Sequence, residues 1–296
     1  MFLSLFDTLE YKYGAFSINE INLYRSCSVY LQGDYLGVKF VDATEEQKFA
    51  KLRKFNIGAG FLHLFQAILM LVIANYAVTM TFTTSYLDAA NGYPPTVPPV
   101  PTELFTVAVG PIVALFLLLS AIAHLSVSTY GYNWYVKNLK MGINKARWFE
   151  YALSSSVMLV VIAWLVGMFD FVSILLLFCL NACMNLFGYM MELHNQTTKK
   201  TNWTAFYFGC FAGLIPWVAL LMYFFGVSGG NPPTFVYGIF ASIIICFNVF
   251  PVIMVLQYKK VGKFKDYLYG EYWYIILSLV AKTLLAWQVF AGTLVD

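Results

Sequence analysis

The chain has 296 residues, long enough for about two soluble domains on length alone. Hydrophobic residues make up 60% of it and charged residues only 11%, against roughly 25% charged in ordinary globular chains. So much apolar surface cannot hide inside one soluble core. The composition therefore specifies an integral membrane protein and excludes a disordered chain, a secreted disulfide scaffold and a soluble enzyme. A net charge of +3 is too small to argue for nucleic acid, so the distribution of charge matters more than its sum.

The opening residues, MFLSLFDTLEYKYG, are too acidic and too short an apolar run for a signal peptide. Residues 1–47 are mixed in character and read as a cytoplasmic extension, with the membrane domain over 48–296. A transmembrane helix needs about 20 mostly apolar residues. Seven segments qualify, at roughly 56–79, 104–130, 148–168, 170–191, 203–227, 234–257 and 272–294. The third and fourth are joined by so short a connector that they must form a tight antiparallel pair. An extended outer loop covers about 82–103 and includes the proline-rich stretch NGYPPTVPPVPTE.

Basic residues set the orientation. Lys48, Lys51, Arg53 and Lys54 precede the first span. Lys137, Lys140, Lys145 and Arg147 fill the second connector, Lys199 and Lys200 the fourth, and Lys259, Lys260, Lys263 and Lys265 the sixth. The opposite ends carry only Asp88, Glu103, Asp170 and Asp296. The N-terminus is therefore expected in the cytoplasm and the C-terminus outside, in a multi-pass protein of the plasma membrane. Asn195-Gln196-Thr197 and Asn202-Trp203-Thr204 match the glycosylation pattern but fall on the cytoplasmic side, where they are not expected to be used. Four of the five cysteines (Cys27, Cys179, Cys183, Cys210 and Cys246) lie in apolar stretches and none forms a CxxC pair. No disulfide and no metal site is expected.

One basic residue breaks the sidedness pattern. Lys282 lies about ten residues into the seventh span, near ~15 Å depth at the helical rise. A charge there costs at least about 2.5–3.5 kcal/mol, so a lysine kept in that place needs a partner or a covalent task. Glu150, in RWFEYALSSS, is the one acid read as lying inside a span. At ~4 Å and an effective dielectric of ~20, such a pair gains about 4 kcal/mol. Ser278 precedes the lysine by four residues and shares its helix face. His63 and His124 lie at about ~10 Å depth from the same side and, with Glu150, suggest a polar, proton-accepting cluster. Met158, Trp164, Asn181, Met184, Phe206, Trp217 and Phe247 sit near the lysine level, a lining suited to an elongated apolar ligand.

Seven spans with a lysine in the middle of the seventh resemble the rhodopsins. The common microbial type has an aspartate four residues before that lysine, where SLVAKTLLAWQVFAG has Ser278. That serine, the glutamate of RWFEY, the histidines of LHLFQ and AIAHL, and the inward N-terminus together resemble heliorhodopsin over roughly residues 50–296. The resemblance implies an all-α seven-helix bundle that binds all-trans-retinal covalently at Lys282, as a protonated Schiff base with Glu150 as counterion. It implies further that Ser278, Ser155 and Tyr151 join the hydrogen bonding around that group, that His63 and His124 anchor the cytoplasmic polar cluster, and that Asn181, Met184, Phe206 and Phe247 belong to the retinal pocket. The implied activity is light sensing through isomerisation to 13-cis, with a slow photocycle, by a non-enzymatic homodimer with a signalling partner. A light-gated proton channel or transporter is the alternative. A third reading is a non-photochemical transporter using Lys282 as a counter-charge.

Overall fold

A computed structural model of the chain describes residues 43–87, 90, 92–94, 96–226 and 232–294. Cys27, Asp88 and Asp296 lie outside the described residues. So does the expected extension up to residue 42, and its last few positions already belong to the first helix.

In chain order come α1 (Ala43–Ile73), β1 (Thr79–Ser85), β2 (Pro101–Ala108), α2 (Val109–Ser128), α3 (Tyr132–Lys140), α4 (Lys145–Leu165), α5 (Phe171–Asn195), α6 (Thr204–Phe225), α7 (Thr234–Tyr258) and α8 (Tyr267–Val289). All the helices except α3 are long and apolar enough to cross a membrane, which makes seven spans. The 20 residues of α2 reach about 30 Å, the thickness of a hydrocarbon core. Pro216 in α6 and Pro251 in α7 sit inside helices, as bilayer-spanning segments tolerate.

Helix α4 is the hub. It packs on α2 and α5, α5 carries α6, and α7 pairs with α8. Its buried residues run from Arg147 to Ala163 with little interruption. By contrast, α6 turns Tyr207, Phe208, Phe211 and Leu214 outward, a surface that a bilayer accommodates and water does not. The turn from α4 to α5 is as short as expected. Gly167 adopts a φ of +88° there, which favours glycine. Asp170 caps α5 by accepting from the Ser173 backbone N–H at 2.7 Å and from its hydroxyl at 2.6 Å.

Two departures from the sequence reading concern the outer loop. Residues 79–85 and 101–108 form an antiparallel hairpin, with Thr79 opposite Ala108 and Ser85 opposite Pro101. The first span accordingly ends at Ile73 and the second begins only at Val109. In TMTFTTS, Met80, Phe82 and Thr84 point inward in alternation, the period of a strand. Threonine and aromatic content favours that pleated, half-buried state.

The α4–α5 contact depends on a missing side chain. A Cβ on Gly188 would lie 2.3 Å from the Trp148 ring. The ring is rigid, so Gly188→Ala must push Trp148 aside or part the helices. We expect a loss of about 1–3 kcal/mol, seen as a lower thermal denaturation midpoint. An unchanged midpoint would show that the ring has room to retreat. The described cysteines, Cys179, Cys183, Cys210 and Cys246, are all free.

Candidate functional site around Lys282

Lys282 on α8 and Glu150 on α4 are 3% and 8% exposed, and their side chains meet. The Lys282 Nζ donates to Glu150 Oε1 at 3.0 Å and to Ser278 Oγ at 2.7 Å. The serine contact follows from the four-residue spacing on one helix. Ser120 of α2 donates to the same Glu150 oxygen at 2.6 Å. Sequence reasoning missed Ser120, although a serine inside LFLLLSAIAHL is a legible polar mark. The Lys282 Nζ also stands 5.1 Å above the Tyr151 ring, a cation–π contact. Each ion is thus compensated, as buried charges must be.

The other sequence-selected residues fall into two groups. Tyr151 donates its hydroxyl to the Tyr274 carbonyl at 2.9 Å and also neighbours Ser278, the serine that accepts from Lys282. Ser155 donates to the Tyr151 carbonyl at 2.7 Å and accepts from Asn181 at 2.8 Å and Asn185 at 3.1 Å. Neither hydroxyl bonds directly to Lys282; the tyrosine contributes its ring face. On the other side, His63 and His124 stack with ring centroids 5.8 Å apart. His124 Nδ1 pairs with Asn56 Oδ1 at 2.7 Å, a partner not foreseen. Both ring nitrogens of His63 are buried without a hydrogen-bond partner among the described residues.

Lys282 and Ser278 stand in the wall of a cavity of about 320 Å³. Met184, Phe206 and Phe247 line it, with Met158, Tyr151 and Ser155. Trp148, Trp217, Gly209, Gly213 and Pro251 add to its mainly apolar surface, which Asn185 and Asn248 interrupt. Asn181 stands one layer behind, bonded to Ser155 and to Ser156 at 2.9 Å. Trp164 packs into the neighbouring core instead. A volume in the range of small-molecule pockets, apolar walls and one amine fit an elongated apolar molecule with a reactive carbonyl end, such as retinal.

A second buried ionic group lies nearby, and it corrects the expectation that Glu150 is the sole acid within the spans. Glu192 near the end of α5 and Glu271 near the start of α8 are 2% and 0% exposed. Arg147 of α4 bonds to both. Its guanidinium carbon lies 3.9 Å from the Tyr274 ring centroid and 4.6 Å from that of Trp148. Asn144, the cap of α4, accepts from the Arg147 backbone N–H at 3.0 Å and donates to Glu271 at 2.6 Å. Glu192 and Glu271 fall at the edges of their apolar runs, where acids read as interfacial.

This bundle, with a buried lysine–carboxylate pair beside an apolar cavity, defines a seven-helix membrane protein of the rhodopsin type. The heliorhodopsin family profile matches residues 52–294, and the chain belongs to that family. Membership carries a rhodopsin-type, light-responsive function with retinal as the chromophore, in a family that is generally non-enzymatic. No curated protein matches the sequence. Among solved structures, the chain is similar to the transmembrane domain and linker region of the rhodopsin phosphodiesterase of Salpingoeca rosetta. Identity is 12% and the TM-score 0.51, over 84% of this chain and 76% of that one. At that identity the likeness concerns the fold.

Proposed function

We propose that the protein is a light sensor with all-trans-retinal bound covalently to Lys282. The observation that carries this reading is the 3.0 Å contact of Lys282 with Glu150 at the wall of an apolar cavity. When bound as a protonated Schiff base, retinal supplies the visible absorption and the light-driven change from all-trans to 13-cis. The chain's own groups do the rest. Glu150 balances the positive nitrogen, with Ser120 and Ser278 fixing the two partners. The Tyr151 ring covers the nitrogen, and Trp148, Phe206, Trp217 and Phe247 give the cavity an aromatic, apolar wall. His63, His124 and Asn56 gather polar groups on the side where the basic connectors lie, which the positive-inside rule makes cytoplasmic. Likeness to the family extends the proposal to a slow photocycle, a homodimer in the plasma membrane and a signalling partner.

The opposite half favours sensing over proton transport. Met70, Val113, Phe116, Leu117, Ile162 and Leu285 form a fully buried apolar cluster there. The test is an absorption spectrum of the purified protein with added retinal. A visible band that hydroxylamine bleaches under light is expected; a colourless protein would overturn the assignment. Light-induced current under voltage clamp would move the reading to proton transport.

A further inference from the structure

We propose that Glu271, held by Arg147, is the group that takes up the proton leaving the Lys282 nitrogen after illumination. The inference rests on the retinal reading and deepens it. Its starting point is a charge imbalance. Arg147 brings one positive charge, and Glu192 and Glu271 bring two negative ones, all within a shell less than 10% exposed. The Lys282–Glu150 pair is balanced by comparison. Uncompensated buried charge is costly, so one added proton brings the Arg147 group to neutrality.

Hydrogen bonding selects which carboxylate receives it. Besides Arg147, Glu192 accepts from the Asn144 backbone N–H at 2.9 Å, the Trp148 indole at 2.6 Å and the Tyr267 hydroxyl at 3.1 Å. Glu271 accepts from Arg147 and the Asn144 side chain, with the Tyr267 hydroxyl as a shared neighbour, and it receives neither a backbone N–H nor an indole among the described contacts. Donors to a carboxylate favour its charged form, so the proton is assigned to Glu271, the carboxylate with the weaker donor set. A path also exists. A small cavity of about 30 Å³ has both Glu150 and Glu271 in its wall, together with Asn56, His124, Tyr135 and Arg147. That is room for a water, which needs about 10–15 Å³ and polar partners. Tyr151 of α4, Tyr258 of α7, and Tyr267 and Tyr274 of α8 are the other titratable groups facing the cluster. In the step, the Lys282 nitrogen loses one proton and its positive charge. Glu150 passes the proton through the water, and the Glu271 carboxylate becomes a neutral carboxyl. No electron is transferred.

Light-minus-dark infrared spectroscopy of the retinal-loaded protein tests this. The expected result is a new carboxyl carbonyl band that shifts in heavy water, vanishes in Glu271→Gln, persists in Glu192→Gln and moves in Glu271→Asp. A band unchanged in Glu271→Gln, or lost only in Glu192→Gln, overturns the proposal while the visible absorption still stands. If wild type lacks the visible band, the retinal reading fails instead. Should Glu271→Gln not fold, the Glu271→Asp shift decides. A second readout needs no retinal: acidifying the retinal-free protein should convert one buried carboxylate to carboxyl in wild type and not in Glu271→Gln. Equal conversion in both would also sink the assignment.

Discussion

Lys282→Ala is expected to abolish the visible band of the retinal-incubated protein altogether, because no other described lysine reaches the cavity wall. The same change strands Glu150 at 8% exposure without its cation, leaving it only neutral donors such as Ser120 among the described residues. Breaking a buried pair by removing one partner costs about 3–5 kcal/mol, so the variant should also denature at lower temperature. Loss of colour and loss of fold can be separated. Lys282→Ala combined with Glu150→Gln removes both charges, and Gln still accepts from Ser120. The double variant should regain much of the lost stability and stay colourless. A visible band in either variant would sink the covalent assignment at Lys282.

The pair at the centre of that experiment was readable from sequence because a charge inside an apolar run has few physical explanations. Depth marks Lys282 and Glu150, helical spacing marks Ser278, and the structure brings these three together. Other parts were hidden for definite reasons. The hairpin was hidden because the ends of its strands are apolar enough to extend the adjoining spans, while the period of two in TMTFTTS is only seven residues long. The Arg147 cluster was hidden because its partners are distant in sequence. Glu192 and Glu271 lie 45 and 124 residues from Arg147, and hydropathy alone assigns such acids to the interface. Depth in its span marks Asn181 as a pocket residue, but depth does not say which way a helix face turns. It bonds to Ser155 and Ser156 behind the wall.

That long-range cluster is where the largest stability effect is expected. Arg147 joins α4 to α5 through Glu192 and to α8 through Glu271. Arg147→Leu would leave two carboxylates buried near each other with no cation between them. The expected cost is at least the roughly 3–5 kcal/mol of a single broken buried pair, a large share of a marginal folding free energy. Arg147→Lys should not rescue it fully. A lysine is a point donor and cannot present a planar fork to acids on two helices, nor stack in the same way between Trp148 and Tyr274. The order of denaturation midpoints should therefore be wild type, then Arg147→Lys, then Arg147→Leu. Adding Glu192→Gln and Glu271→Gln to Arg147→Leu removes the stranded charges and should raise the midpoint again, because the penalty comes from the uncompensated acids more than from the lost contact. If Arg147→Leu melted with wild type, the guanidinium could not be what holds these three helices in register.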